Sequence, residues 1–321
     1  MWLTVFKVVH EESEVPEPSI RCLEVHMKRS APQYLLSVVA CVIFIPEVSA
    51  QAVPDRLVVT SLAPDKVLRP GLQVLHTPDK WGAQISPDKK KLVFTRSFTG
   101  TNEVWVSNVD GSNLVKLTSL DGPAAGSPRW SPDGRWIAFD VDWYKRGKVF
   151  IVSANGGPSR EIAADVDGQN LVPNWSRDSK WIYFASDRSG DWQVWKAPLD
   201  GGKPEQVTHQ GGFAASESPD GAYVYYSKHR YPNPGIWRVS VSGDSEEIVS
   251  PLVRPMTWAG WSLTEGGIYF VAAEKDGGAT LHFFDFTSNS NQAVALLPNP
   301  SFFLSVSNDN RLVVCASENW M

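Results

Sequence analysis

The sequence predicts an all-β fold: a six-bladed β-propeller of four-stranded antiparallel blades, with the last blade closed by N- and C-terminal strands. Three observations carry this. A turn phrase of the form Trp-Ser-Pro-Asp-Gly recurs with its first residue at Ile85, Trp130, Trp175, Glu217, Trp261 and Val306, at steps of 45, 45, 42, 44 and 45 residues. An aromatic residue in a later apolar run keeps step with it, at Trp105, Phe150, Trp195, Trp237 and Phe283. Each end of the array holds only part of a unit. Four short strands in a period of roughly 40–45 residues is the spacing of propeller blades.

In chain order, Met1–His26 contains the phrase EESEVPEPS and matches no part of an export signal. It reads as an over-extended gene start, with Met27 as the true start. Residues 27–50 read as a signal peptide: Lys28 and Arg29 are the basic end, APQYLLSVVACVIFIP is the apolar run, and Val48-Ser49-Ala50 offers small residues for cleavage near Ala50. Two alternatives compete with it. Val38-Val39-Ala40-Cys41 loosely resembles a lipobox that would lipidate Cys41, yet the apolar run continues through Ile45, where a lipoprotein turns polar. A retained anchor is the other, but the run is shorter than the ~20 residues a span needs. The expectation is a periplasmic or secreted chain with no stable membrane span after cleavage. Only Cys315 then remains of three cysteines, so no intramolecular disulfide forms.

Residues 51–81 read as a linker with closing strands, Arg56–Leu62 and Leu72–Thr77, and residues 82–321 as the propeller. In the fullest copy, Ser131-Pro132-Asp133-Gly134, Pro presets φ, Asp bonds its own backbone and Gly accepts positive φ, so the phrase is a tight turn. The runs after it, such as WIAF and WIYF, have the β-branched and aromatic content of strands. Ser305–Ala316 supplies one last hairpin. Pairing it with the N-terminal strands completes a sheet and removes open edges. The alternative is a last blade left incomplete. The 14 tryptophans fall mostly on repeat positions, where they pack blades together.

These residues resemble a known family. SPRWSPDGRWIAFD, NWSRDSKWIYFASDRSGDWQVWKAPLDGG and QGGFAASESPDG are similar to the WD-repeat-like repeats of TolB-like propellers, both the periplasmic TolB propeller and those of bacterial winged-helix or kinase regulators. The resemblance covers roughly Leu72 to Ala316. It implies a non-catalytic, monomeric interaction scaffold with a protein or peptide partner in the cell envelope. The chain departs from the family where Glu217 replaces the repeat tryptophan and Glu265-Gly266-Gly267 replaces Pro-Asp-Gly, and the α/β domain that precedes the TolB propeller has no counterpart in the residues before the first blade.

Composition and motifs add little chemistry. A formal charge of −5 with 20% charged residues gives no footprint for nucleic acid. A peptidase is disfavoured by the missing Gly-x-Ser-x-Gly elbow and by His76, His209, His229 and His282, which scatter over different blades. With no Cys-x-x-Cys pair and no histidine cluster, neither metal nor cofactor is expected. Asp140-Val141-Asp142 and Asp187–Asp191 could serve a carbohydrate-active lyase or glycosidase, but hairpin tips are the plainer assignment. Asp88, Asp133, Asp178 and Asp220 read as turn formers.

The remaining place for function is the channel. Residues just before the repeat Trp-Ser step lie on the innermost strands: Gln84, Arg129, Asn174, Ser216, Gly260 and Ser305. They are polar or small, as beside a water-filled channel. Gln84, Arg129, Asn174 and Glu217 are the candidate border of a site for a peptide or small polar ligand. The expected function is therefore an exported non-catalytic binding propeller. A propeller-based lyase or glycosidase, or the sensor half of a split winged-helix or kinase regulator, are the alternatives.

Overall fold

The structure, a computed structural model, describes residues 20–25, 38–43, 59–77, 82–97, 101–120, 122–142, 146–164, 168–230, 234–242, 245–275, 277–297 and 302–316. Two compact units divide at Val53 and Pro54. In the first, Ile20–Val25 and Val38–Ile43 form an antiparallel pair in the register Ile20↔Ile43 to Val25↔Val38. The basic pair Lys28-Arg29 and the cleavage residues Val48–Ala50 lie outside the described residues. Among the described residues no helix is long and apolar enough to cross a membrane.

The second unit is the ring. Blade one consists of Ala83–Ile85, Lys91–Ser97, Asn102–Asn108 and Val115–Lys116. Blades two to five follow in the same order from strands starting at Ala124, Asn170, Phe213 and Trp261. Each is four-stranded and antiparallel, and the phased aromatics Trp105, Phe150, Trp195, Trp237 and Phe283 all fall on third strands. Blade six joins the termini of the ring, with Phe303–Val306 and Leu312–Ala316 followed in the sheet by Gln73–Thr77 and Thr60–Ser61. The expected closure is present. One ladder departs from the antiparallel pattern: Leu312–Ala316 runs parallel to Gln73–Thr77, with Val313 opposite Val74.

The turn phrase folds the same way in five of the blades. The serine hydroxyl donates to the aspartate two residues on, at 2.6 Å from Ser86 to Asp88 and 2.7 Å from Ser176 to Asp178. The same oxygen accepts the backbone N–H that starts the next strand, from Lys91, Trp136, Trp181, Tyr223 and Leu312. The turn's fourth position has positive φ whatever residue fills it: Lys89 (64°), Gly134 (72°), Ser179 (59°), Gly221 (72°) and Asn310 (58°). Asp88, Asp133, Asp178 and Asp220 are thus spent on turn geometry.

Because strand side chains alternate between faces, each blade feeds two seams. Val93, Val104 and Val106 of blade one pack with Ile137 and Phe139 of blade two. Ala138 and Ile151 on the opposite face of blade two pack with Trp175, Ile182 and Phe184 of blade three. The last seam joins Tyr269 and Leu281 of blade five to Val74, Val313 and Cys315. Sheet-on-sheet burial around a circle therefore replaces a single central core.

Candidate functional site

The inner strands run side by side around the axis, and the two ends of that axis differ. Ala83, Leu171, Val172, Phe213, Trp258 and Phe303 are all buried and belong to one apolar cluster. They come from five different blades, near the beginnings of the inner strands, so they can meet only on the axis. Edge-on ring contacts link Trp192 to Phe213 (5.4 Å), Phe213 to Trp258 (5.0 Å) and Trp258 to Phe303 (5.4 Å). The expectation of a water-lined channel holds only toward the far ends of the strands. Aromatic packing fills the near end, since these rings gain more from one another than from water.

Above this floor lies a cavity of ≈ 290 Å³, bordered by Gln84, Arg129, Asn174 and Glu217 together, with Val172, Ala214 and Trp258 beneath. The four side chains that the repeat singles out are thus brought to one place. Three of the six inner-strand positions also stitch neighbouring blades. Gln84 Oε1 accepts from Trp130 N at 2.5 Å. Asn174 Nδ2 donates to Ala215 O at 2.8 Å, while its Oδ1 accepts from Trp175 N at 2.9 Å. Ser305 Oγ accepts from Ile85 N at 3.2 Å. The indole of Trp175 continues the belt by donating to Arg129 O at 3.0 Å.

Arg129 is half-buried. One guanidinium N–H donates to Pro128 O at 3.0 Å. Burial lowers its pKa to about 10, opposed by the negative charge of Asp140, so it stays a cation at neutral pH. Glu217, standing where Trp130, Trp175 and Trp261 stand in other repeats, accepts the Tyr183 hydroxyl at 2.7 Å and the Arg177 N–H at 3.4 Å. Burial and then the Glu217 carboxylate push the Tyr183 phenol well above its ordinary value. The substitution exchanges an indole bracket between blades for a charged one.

Asp140 was not among the sequence candidates for the channel, and it does not line the cavity, but it holds a residue that does, Val172. It is buried on the second strand of blade two, and its carboxylate accepts Val172 N at 2.8 Å across the seam. Burial raises its pKa to about 6, against the lowering pull of that N–H and of Arg129. Gly126 lies opposite in the ladder, and a Cβ there would come within 2.5 Å of Asp140 Oδ1, so only glycine admits the carboxylate. Val172 has φ 53°, an unusual conformation for a β-branched residue, and Ser127 (46°) and Ala214 (51°) repeat it at the bulges of blades two and four. Asp142 is exposed, so Asp140 and Asp142 do not present a carboxylate pair to one ligand.

The other candidates lie apart. Asp187 is occupied by Gln169, through its N–H at 2.7 Å and its side-chain amide at 2.8 Å. His209 and His229 are exposed, and His282 stacks on Phe270 in blade five at 5.3 Å. Among the described residues no group of three or more His, Cys, Asp or Glu side chains is placed to hold a metal ion.

Comparison with known proteins agrees with the architecture. A family profile described as TolB beta propeller domain matches residues 77–292. A Streptomyces coelicolor protein called putative tricorn protease homolog 2 is 34% identical over 65 residues, which is 20% of this chain and 6% of that protein. A TolB homolog of Chlorobium luteolum is 30% identical over 102 residues, 29% of this chain and 23% of the relative. The chain thus spans a minor part of either relative's length. A solved structure of a putative TolB from Agrobacterium tumefaciens superposes with a TM-score of 0.55 at 20% identity, covering 76% of this chain and 90% of that one. At that identity the likeness concerns the fold alone.

Proposed function

The chain belongs to the TolB beta propeller domain family, and on that premise we propose that it is an exported, non-catalytic propeller that captures a protein or peptide partner in the cell envelope. The observation that carries this reading is the blind cavity at one end of the axis, where Gln84, Arg129, Asn174 and Glu217 converge over an aromatic floor. A concave site with a few convergent polar groups over apolar surface is the usual form of a binding site. The polar groups there are engaged in hydrogen bonds that fix their orientation, which suits recognition. The leader-like segment at residues 27–50 supports a periplasmic or secreted location, with the ring acting as a monomer.

Three measurements test it. Intact-mass analysis after fractionation of a bacterial host is expected to find a chain beginning near Gln51 outside the cytoplasm; a chain retaining Met1 in the cytoplasm would overturn export. Pull-down from envelope extract with the immobilised chain is expected to yield a partner that the Arg129→Ala, Asn174→Ala, Gln84→Ala and Glu217→Ala variants lose in part or whole. Equal capture by all four variants would remove the channel as the site. Release of unsaturated sugars or cleaved peptides by the purified chain, abolished in one of these variants, would replace the binding reading with an enzymatic one.

A further inference from the structure

We infer that the cavity is a receptor for a carboxylate, carried by a ligand whose apolar part rests on the aromatic floor. This rests on the proposed capture function and specifies the chemistry of what is captured. The cavity's border holds more hydrogen-bond donors than the protein itself uses. Gln84 presents its oxygen to Trp130 N, which turns both amide N–H groups of its Nε2 away from that bond, and they meet no acceptor among the described residues. Asn174 is fixed from both sides, spending its oxygen on Trp175 N and one N–H on Ala215 O, with the second N–H left over. Arg129 spends one N–H of five on Pro128 O. No carboxylate among the described residues comes within ion-pairing distance of it, and Asp140 acts on it only through its longer-range charge.

The border is therefore rich in unspent donors on blades one to three. The acceptor on the next blade, Glu217, is already engaged by Tyr183 and the Arg177 N–H of blade three. A planar carboxylate accepts two parallel bonds from a guanidinium fork and further bonds from amide N–H groups, which is the complement of this arrangement. Below the donors, Val172, Ala214 and Trp258 offer apolar surface, so a purely polar anion would leave that surface uncovered. The ligand that matches both layers is a carboxylate on an apolar body: an acidic side chain within an apolar peptide, or the C-terminus of one.

The test titrates the full chain with three probes, Ac-Leu-Asp-Leu-NH2, Ac-Leu-Ala-Leu-OH and the neutral Ac-Leu-Ala-Leu-NH2, by calorimetry and by the indole N–H resonances of Trp130 and Trp175. One of the two acids is expected to bind at least about tenfold more tightly than the neutral peptide, the size of one charge-assisted bond, and which acid does so identifies the source of the carboxylate. Arg129→Gln is expected to erase that preference. Gln84→Glu keeps the acceptor for Trp130 N while replacing donors with a charge, so it is expected to erase it without disturbing the belt. Equal binding of all three peptides, lost on filling the cavity by Ala214→Trp, overturns the carboxylate and leaves capture standing. Undiminished acid binding in both Arg129→Gln and Gln84→Glu, or binding of neither acid, also overturns it; capture from envelope extract then decides the wider reading separately.

Discussion

The two ends of the propeller axis are built from the same inner strands and the residues just before them, and do opposite things. At the strand beginnings, Leu171, Phe213, Trp258 and Phe303 fill the axis with side chains that touch almost no water. A few residues further along, Gln84, Arg129, Asn174 and Glu217 leave it open. The difference teaches how a ring divides labour along a single strand. A position on an inner strand can be given to binding because a residue nearer the strand's beginning is given to packing, as with Gln84 after Ala83, Asn174 after Leu171 and Glu217 after Phe213. Substitutions at the floor should cost stability and spare the mouth's chemistry, whereas those at the mouth should do the reverse.

The largest expected effect is at the floor. Phe213→Ala removes a ring that contacts Trp192 and Trp258, and truncation of a buried phenylalanine costs about 3–5 kcal/mol. Chemical denaturation would show it as a lowered midpoint, and the same change should lengthen the cavity toward a through-channel. A cost below about 1 kcal/mol would mean that the floor does not hold the ring. Next is Asp140, whose carboxylate holds the backbone of Val172 at the floor. Its pKa is raised to about 6, so its contribution to stability is complete below the unfolded value near 4 and is lost as pH rises through 6. Asp140→Asn keeps an acceptor for Val172 N. It should flatten the stability profile over that window, with a gain on the order of 2–3 kcal/mol at neutral pH. An unchanged slope between pH 4 and 7 would show that the carboxylate does not titrate there.

Smaller effects sharpen the contrast at the turns that rim the mouth. Gly134→Ser and Ser179→Gly exchange equivalent positions, both at positive φ. The first should lower and the second raise the melting temperature, each by about 1 kcal/mol of stability. The smallest effect belongs to Asp309, whose carboxyl the Lys89 ammonium and then the Ser307 hydroxyl hold at about 2. Its stabilisation is present above pH 4 and lost as pH falls through 2, so Asp309→Asn should remove a small stabilisation at neutral pH and flatten the acid limb of the unfolding profile. A change at neutral pH beyond a few tenths of a kcal/mol would contradict this, because the pair is exposed.

Much of this molecule is legible in its sequence because the repeat is a physical device. A Ser-x-Asp turn followed by an aromatic strand specifies the hairpin, and its period specifies the blade. The residue before the tryptophan must then fall on the innermost strand, which is how Gln84, Arg129 and Asn174 can be placed beside one cavity. The floor is not legible in the same way. Phe213 and Trp258 lie in QGGFAASE and RPMTWAGW, outside the phased positions, and an apolar residue near a strand's beginning can face a seam or the axis equally well. Asp140 misleads for a different reason: a carboxylate two residues from an exposed one, before a loop, reads as a hairpin tip. Only the glycine opposite it, Gly126, hints at burial. The positive φ of Val172 carries no sequence signal, since valine is a poor residue for that conformation.

The parallel pairing of Leu312–Ala316 with Gln73–Thr77 has a mechanical consequence. Tension drawn through the chain before Gln73 and after Ala316 pulls these two strands along their length in opposite directions. Every bond of the ladder then shares the load at once. Had the strands been antiparallel, the same pull would act at one end and open the bonds one by one. The joint that closes the ring is therefore loaded in shear, the geometry that resists being drawn apart by its own ends.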